Sequence, residues 1–375
     1  MNIKPRTLAL ALLLVLFLFA CSLQVDPDSS ITRTPPALIV PPLSPTVSRP
    51  TEPAGLATEI SASTSTPTTW AGLGATGRLI FTQNEKGIIY LDLVTGTQTA
   101  FYIPPPNAWV RAAAVSPDGK LIVMAYAPPP TNGQVQLGFT DLFVMATDGS
   151  LPPTPVLRHT GPSELYVTPI WSPDGRYIYY GHFVVEDTNA GAVVKYSLNR
   201  IAYPVGQPEL IATDAFWPQF SPDGSQITYI SYDATKDLSI LVVAKPDGSQ
   251  ATEVVPAGKF AAVDAPLFYP DGQHLLFSAV GDQISTSLSW LDRLLGVQIA
   301  SAHDVPSDFW RVSLSDGQIE PVTQLQAVGM YADFSPDGQN LAFMTTTNIH
   351  LAKADGTELK TLSNVSVSGT VEWLP

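Results

Sequence analysis

The stretch Trp171-Ser172-Pro173-Asp174-Gly175-Arg176-Tyr177-Ile178-Tyr179-Tyr180 decides the fold because the chain repeats it. Its turn returns as Ser116-Pro117-Asp118-Gly119, Ser221-Pro222-Asp223-Gly224, Tyr269-Pro270-Asp271-Gly272 and Ser335-Pro336-Asp337-Gly338, at intervals of 56, 49, 48 and 66 residues. An apolar residue precedes each copy (Val115, Trp171, Phe220, Phe268, Phe334), and a strand-forming run follows it. Pro presets φ at the first central position of a type I turn, Asp suits the second, and Gly takes the left-handed conformation that continues the hairpin through a bulge. Self-similarity at 40–60 residues signals a repeat architecture.

Each unit has a common order. A short apolar strand leads into the Pro-Asp-Gly turn, an aromatic and β-branched strand follows, and a third strand ends in a small turn, as in Leu142 to Gly149, Leu241 to Gly248 and Ile349 to Gly356. Four strands per unit with no helix between them is the pattern of a β-propeller. Five units are expected near 110–158, 166–213, 215–258, 263–325 and 329–363. Two fragments remain. Residues 78–103 hold three strands without a leading one, and residues 369–375 hold a leading strand alone, with Trp373 where Trp171 falls in its repeat. Joined, they make a sixth blade, and the expected fold is an all-β six-bladed propeller whose ring is closed by the two ends of the chain. Closure removes the exposed sheet edges of an open array.

The turns resemble the WD-like repeats of TolB-type six-bladed propellers, whose relatives lead the prolyl oligopeptidase and tricorn peptidases. The resemblance covers residues 71–375, the expected propeller. It implies a propeller acting as a binding platform in a bacterial envelope. The Gly-His and Trp-Asp dipeptides of true WD repeats are absent, and a low-complexity segment stands where TolB proteins carry an αβ domain.

That segment has two parts. In residues 1–21, Lys4 and Arg6 precede an apolar run that ends at Leu18-Phe19-Ala20-Cys21, a secretory signal closing on a lipobox-like sequence. Cys21 is the expected lipidation site, which gives an extracytoplasmic, membrane-anchored lipoprotein. Residues 22–70 contain nine Pro and 17 Ser or Thr, too little apolar surface to repay the ordering entropy, so a disordered tether is expected.

Cys21 is the only cysteine, which excludes an intrachain disulfide and a thiolate metal site or catalytic thiol in the propeller. Without Lys4 and Arg6, 17 basic and 33 acidic residues leave a net charge of −16 and no basic cluster, which excludes nucleic acid as a partner. Gly72-Leu73-Gly74-Ala75-Thr76-Gly77 matches a dinucleotide pattern only as text, since a linker precedes it and a strand follows. There is no Gly-x-Ser-x-Gly elbow. None of His159, His182, His274, His303 and His350 falls on a leading strand, and one Asp per turn does not make a calcium loop, so no metal or cofactor is expected.

Two regions carry the binding expectation. The channel rim, aligned on the repeats, offers Arg111, Thr168, Trp217, Asp264, Tyr331, Asp333 and Glu372, aromatic faces mixed with carboxylates. In the 281–306 insertion, Leu288, Leu291, Leu294 and Leu295 lie at helical spacing beside Trp290, which suits a helix that docks or meets a partner. A monomeric, non-enzymatic platform for a protein, peptide or glycan follows. The competing expectation is an enzyme acting on carbohydrate or peptide through paired rim carboxylates.

Overall fold

A computed structural model describes residues 75–83, 86–130, 139–161, 163–188, 191–233, 236, 238–281, 305–363 and 369–375. The expected signal, Cys21, the tether and the 288–295 stripe lie outside the described residues.

Hydrophobic alternation and the repeated turns fold the chain into six four-stranded antiparallel sheets. Strands β1 (Arg78–Gln83), β2 (Gly87–Asp92) and β3 (Gln98–Tyr102) come first and wait for a fourth. The first complete blade is β4 (Trp109–Val115), β5 (Leu121–Ala127), β6 (Asp141–Ala146) and β7 (Thr154–Leu157). The second is β8 (Glu164–Trp171), β9 (Tyr177–Thr188), β10 (Gly191–Ala202) and β11 (Glu209–Thr213). The third is β12 (Ala215–Phe220), β13 (Ile227–Asp233), β14 (Leu238–Ala244) and β15 (Thr252–Glu253). The fourth is β16 (Ala262–Phe268), β17 (His274–Val280), β18 (Asp308–Ser313) and β19 (Ile319–Pro321). The fifth is β20 (Tyr331–Phe334), β21 (Asn340–Met344), β22 (Asn348–Lys353) and β23 (Lys360–Ser363). Finally β24 (Val371–Leu374) pairs with β1, placing Trp373 opposite Leu79 and completing the sixth blade. The indole of Trp373 donates to the Thr76 carbonyl at 3.0 Å, a second tie between the ends. The innermost strands β4, β8, β12, β16, β20 and β24 each touch the next, and β24 touches β4, so the ring is closed.

The turns work as their composition demands. In the Ser172 copy the hydroxyl donates to Asp174 at 2.6 Å, Asp174 accepts the Arg176 amide at 3.0 Å, and Ser172 accepts the Tyr177 amide at 2.9 Å. The same set recurs at Ser116, Ser221 and Ser335. The hydroxyl bond and the local amide hold Asp174 down at about 2, and the Gly at the end of each copy has φ between 64° and 71°. These carboxylates are consumed by their own turns.

Burial is organised between blades. One apolar cluster fills each of the six boundaries, for example Leu79, Phe81 and Trp373 against Ile349 and Leu351, and Tyr179 and Leu198 against Ala215 and Ile227. Each blade is thus a slab that completes its core only on its neighbours, the packing logic of repeat proteins.

Candidate functional site

The six innermost strands surround a central cavity of about 720 Å³. Counted from the residue before each turn (Val115, Trp171, Phe220, Phe268, Phe334, and Trp373 in the closing strand), equivalent positions do different work. Three residues upstream stand Thr168, Trp217 and Ala265 in blades two to four, each followed by proline (Pro169, Pro218, Pro266) and each at positive φ of 44°, 64° and 46°. Here the ladders slip, between Val167 and Ile170, Phe216 and Gln219, and Asp264 and Leu267. A left-handed non-glycine residue costs about 1 kcal/mol or more, and proline restricts the preceding residue further. Such strain persists only where its surroundings impose it, and it clusters at functional sites.

One residue upstream, blades one to four carry Ala114, Ile170, Gln219 and Leu267, whereas blades five and six carry Asp333 and Glu372. Asp333 accepts the Trp373 amide at 2.7 Å and the Phe334 amide at 2.9 Å. Glu372 accepts the Val115 amide at 2.8 Å. Each carboxyl therefore reaches the same position of the following blade. Thr370 adds a pair of bonds to the next strand, accepting the Ala113 amide at 3.1 Å and donating to its carbonyl at 3.0 Å. Burial pushes Asp333 up to about 7, against the two amides that favour its ion. Burial pushes Glu372 up to about 8, with the Val115 amide opposing and the neighbouring Asp333 charge adding. By surface area both stay partly open to the channel although protein surrounds them, so channel water moderates the rise.

Five of the seven rim candidates line this cavity: Thr168, Trp217, Tyr331, Asp333 and Glu372. The rings of Trp217 and Tyr331, from blades three and five, meet with centroids 5.2 Å apart and narrow the channel between them. The hydroxyl oxygen of Thr168 is buried, with no hydrogen-bond partner among the described residues. Arg111 and Asp264 are not among the lining residues. Arg111 is exposed at the slip in β4, where its carbonyl accepts the Thr82 hydroxyl at 3.3 Å, and Asp264 is buried beside the slip in β16. Thr370 and the three prolines were not singled out by sequence, although the recurring x-Pro-x-aromatic text of blades two to four marks the latter.

His182 and His350 sit within strands β9 and β22. His182 bonds Glu164 at 2.7 Å, and His350 stacks on Phe343 with centroids 4.6 Å apart, burial pulling its pKa down to about 4. Among the described residues no group of three or more His, Cys, Asp or Glu converges as metal ligands would.

The innermost strands and the closed ring define a six-bladed β-propeller. The same architecture occurs in the crystal structure of TolB from Acinetobacter baumannii, with a TM-score of 0.55 and 13% identity over 80% of this chain and 67% of that one. A chain of the nidogen/laminin complex is also similar, with a TM-score of 0.51 and 12% identity over 78% of this chain and 97% of that one. At these identities the likeness is one of fold. Residues 297–374 match the family model of the dipeptidyl peptidase IV N-terminal region, itself a propeller domain. No curated protein matches the sequence.

Proposed function

We propose that this chain is a non-enzymatic binding platform held outside the cytoplasm by a lipid on Cys21, with the propeller channel as its receptor for a protein, peptide or glycan segment. The observation that carries it is the state of the two channel carboxyls. Both oxygens of Asp333 and one oxygen of Glu372 are engaged by backbone amides, those of Trp373 and Val115 linking blade to blade, a bracing role, while aromatic and proline surfaces make up much of the wall. A concave cavity that mixes apolar surface with fixed polar groups suits capture of a ligand. The tether gives the platform reach, on the order of 150 Å if fully extended at about 3.1 Å per residue.

One observation favours the enzyme as a second reading: burial lifts both Asp333 and Glu372 toward neutrality, and the Asp333 charge raises Glu372 further, as in acid–base pairs. Equilibrium dialysis against mixed peptides and oligosaccharides, read by mass spectrometry, separates the two. Ligand retained intact, and lost in a cavity-filling Ala114→Phe variant, supports the platform. Turnover that disappears in Glu372→Gln supports the enzyme. Retention of nothing overturns the platform.

A further inference from the structure

Most large aromatic side chains of the propeller are buried at blade boundaries, among them Phe81, Tyr180, Phe277, Phe309 and Phe343. A group at the junction of blades two and three departs from this. Phe183 of β9, Tyr196 of β10, Phe216 and Trp217 of β12, and Tyr232 of β13 are all only half-buried. They are contiguous nonetheless. Phe183 meets Tyr196 at 4.7 Å and Phe216 at 5.6 Å, Tyr196 meets Phe216 at 5.1 Å and Tyr232 at 5.8 Å, and Phe216 meets Trp217 at 6.5 Å. The strip runs from the junction of blades two and three inward to the channel wall. Gly181 makes room for it, because a Cβ there would stand 2.8 Å from Val167 and 3.4 Å from both Phe183 and Phe216.

Asp214 sits at the heart of the strip. Its amide donates to the Tyr196 carbonyl at 2.8 Å and its carbonyl accepts the Tyr232 amide at 2.7 Å, so it is fixed between the two tyrosines at a left-handed φ of 51°. The residue is exposed, and among the described residues its carboxylate has neither a hydrogen bond nor an ion pair. The nearby cations are already engaged, Lys195 by Glu186 at 2.8 Å and Lys236 by Asp233 at 2.9 Å. An exposed carboxylate on a residue whose backbone is bonded to both Tyr196 and Tyr232, on a chain of net charge −14, is complementary to a cation that can also lie on a ring face. Half-buried aromatics at a contiguous patch are also the residue types that anchor protein partners.

We infer that the strip of Phe183, Tyr196, Phe216, Trp217 and Tyr232, with Asp214, docks an extended arginine- or lysine-bearing peptide segment of a partner and leads it toward the channel. This inference rests on the binding reading above and names the chemistry of its partner. Arginine fits best, since its planar guanidinium stacks on tyrosine while its fork pairs with a carboxylate.

The test is fluorescence anisotropy of the whole protein with a blocked, labelled decapeptide of alternating arginine and glycine, beside the glutamate–glycine decapeptide and maltohexaose. The basic peptide is expected to bind, less tightly as salt rises. Tyr196→Ser combined with Tyr232→Ser, which leaves net charge unchanged, should weaken it about tenfold or more. Asp214→Asn, at an exposed site whose conformation asparagine accepts, should weaken it severalfold with no change in melting temperature. If the tyrosine variants fail to fold, Asp214→Asn decides. Peptide binding that survives in folded strip variants overturns the strip alone, because attraction to the acidic surface then suffices. Binding of maltohexaose and not the basic peptide replaces the partner class. Binding of none of the three, together with empty dialysis, removes the platform as well.

Discussion

The two sides of the channel are written in one repeat and held in opposite ways. In blades two to four the wall bends at Thr168-Pro169, Trp217-Pro218 and Ala265-Pro266, where backbone strain shapes the cavity and the preceding-residue position stays uncharged. Across the ring, Asp333 and Glu372 tie β20 to β24 and β24 to β4 through backbone amides. The difference follows from topology. Blades two to four are each made of consecutive chain, so their inner strands are held by their own hairpins. Strand β24 has only β1 to pair with, from the other end of the chain, and the carboxyls of both boundaries supply the grip that a hairpin supplies elsewhere.

Deleting residues 369–375 should break this comparison most severely. It removes Trp373 from the core it shares with Leu79 and Ile349 and opens the ring, so differential scanning calorimetry should show loss of the single transition or a fall in melting temperature on the order of 10 °C or more. A near-native melt would mean that the closing strand adds little. Asp333→Ala comes next, since it strips the Trp373 and Phe334 amides of their acceptor; denaturant unfolding should register a cost of about 2 kcal/mol.

A smaller effect separates charge from bracing. Glu372 titrates near 8 when folded and near 4.5 when unfolded, so the folded state binds its proton over that interval. Its contribution is therefore full below pH 4.5 and is lost as pH rises through 8. Glu372→Gln keeps an acceptor for the Val115 amide without the titration. Melting curves from pH 5 to 9 should fall less steeply for the variant, with a gain of a few degrees at the alkaline end. Parallel curves would assign the pH dependence elsewhere. Least of all, Thr168→Gly should leave stability within about 1 kcal/mol of wild type, relief of left-handed strain offsetting the lost side chain. An Ala332→Gly change on the opposite wall has no positive φ to relieve and should cost more by the same unfolding assay.

The ring was legible because Pro-Asp-Gly states a local requirement five times, and Trp373 without a turn states where the missing strand belongs. Counting upstream from those turns also located Thr168, Trp217, Tyr331, Asp333 and Glu372 around one cavity. The count misleads near the slips. Arg111 and Asp264 stand four residues before Val115 and Phe268, where Thr168, Trp217 and Tyr331 stand three before theirs, and beside a slip that one-residue offset puts both off the cavity. The aromatic strip was less visible still. Phe183, Tyr196 and Phe216 read in sequence as ordinary strand residues, and only the pairing of β9 with β10 and the stacking of blade two on blade three bring them together.

The bond from Trp373 to Thr76 joins residues 297 apart in the chain, and this gives the molecule a clock. In amino-to-carboxyl order, blades one to five can assemble as they emerge, but β1 must hold an open edge until residues 371–374 arrive. Any product that stops earlier keeps that edge, a strand surface open to pairing with other chains and to proteolysis of the unclosed state. Ring closure thus requires β24 as well as β1, so it doubles as a check that all six blades are present.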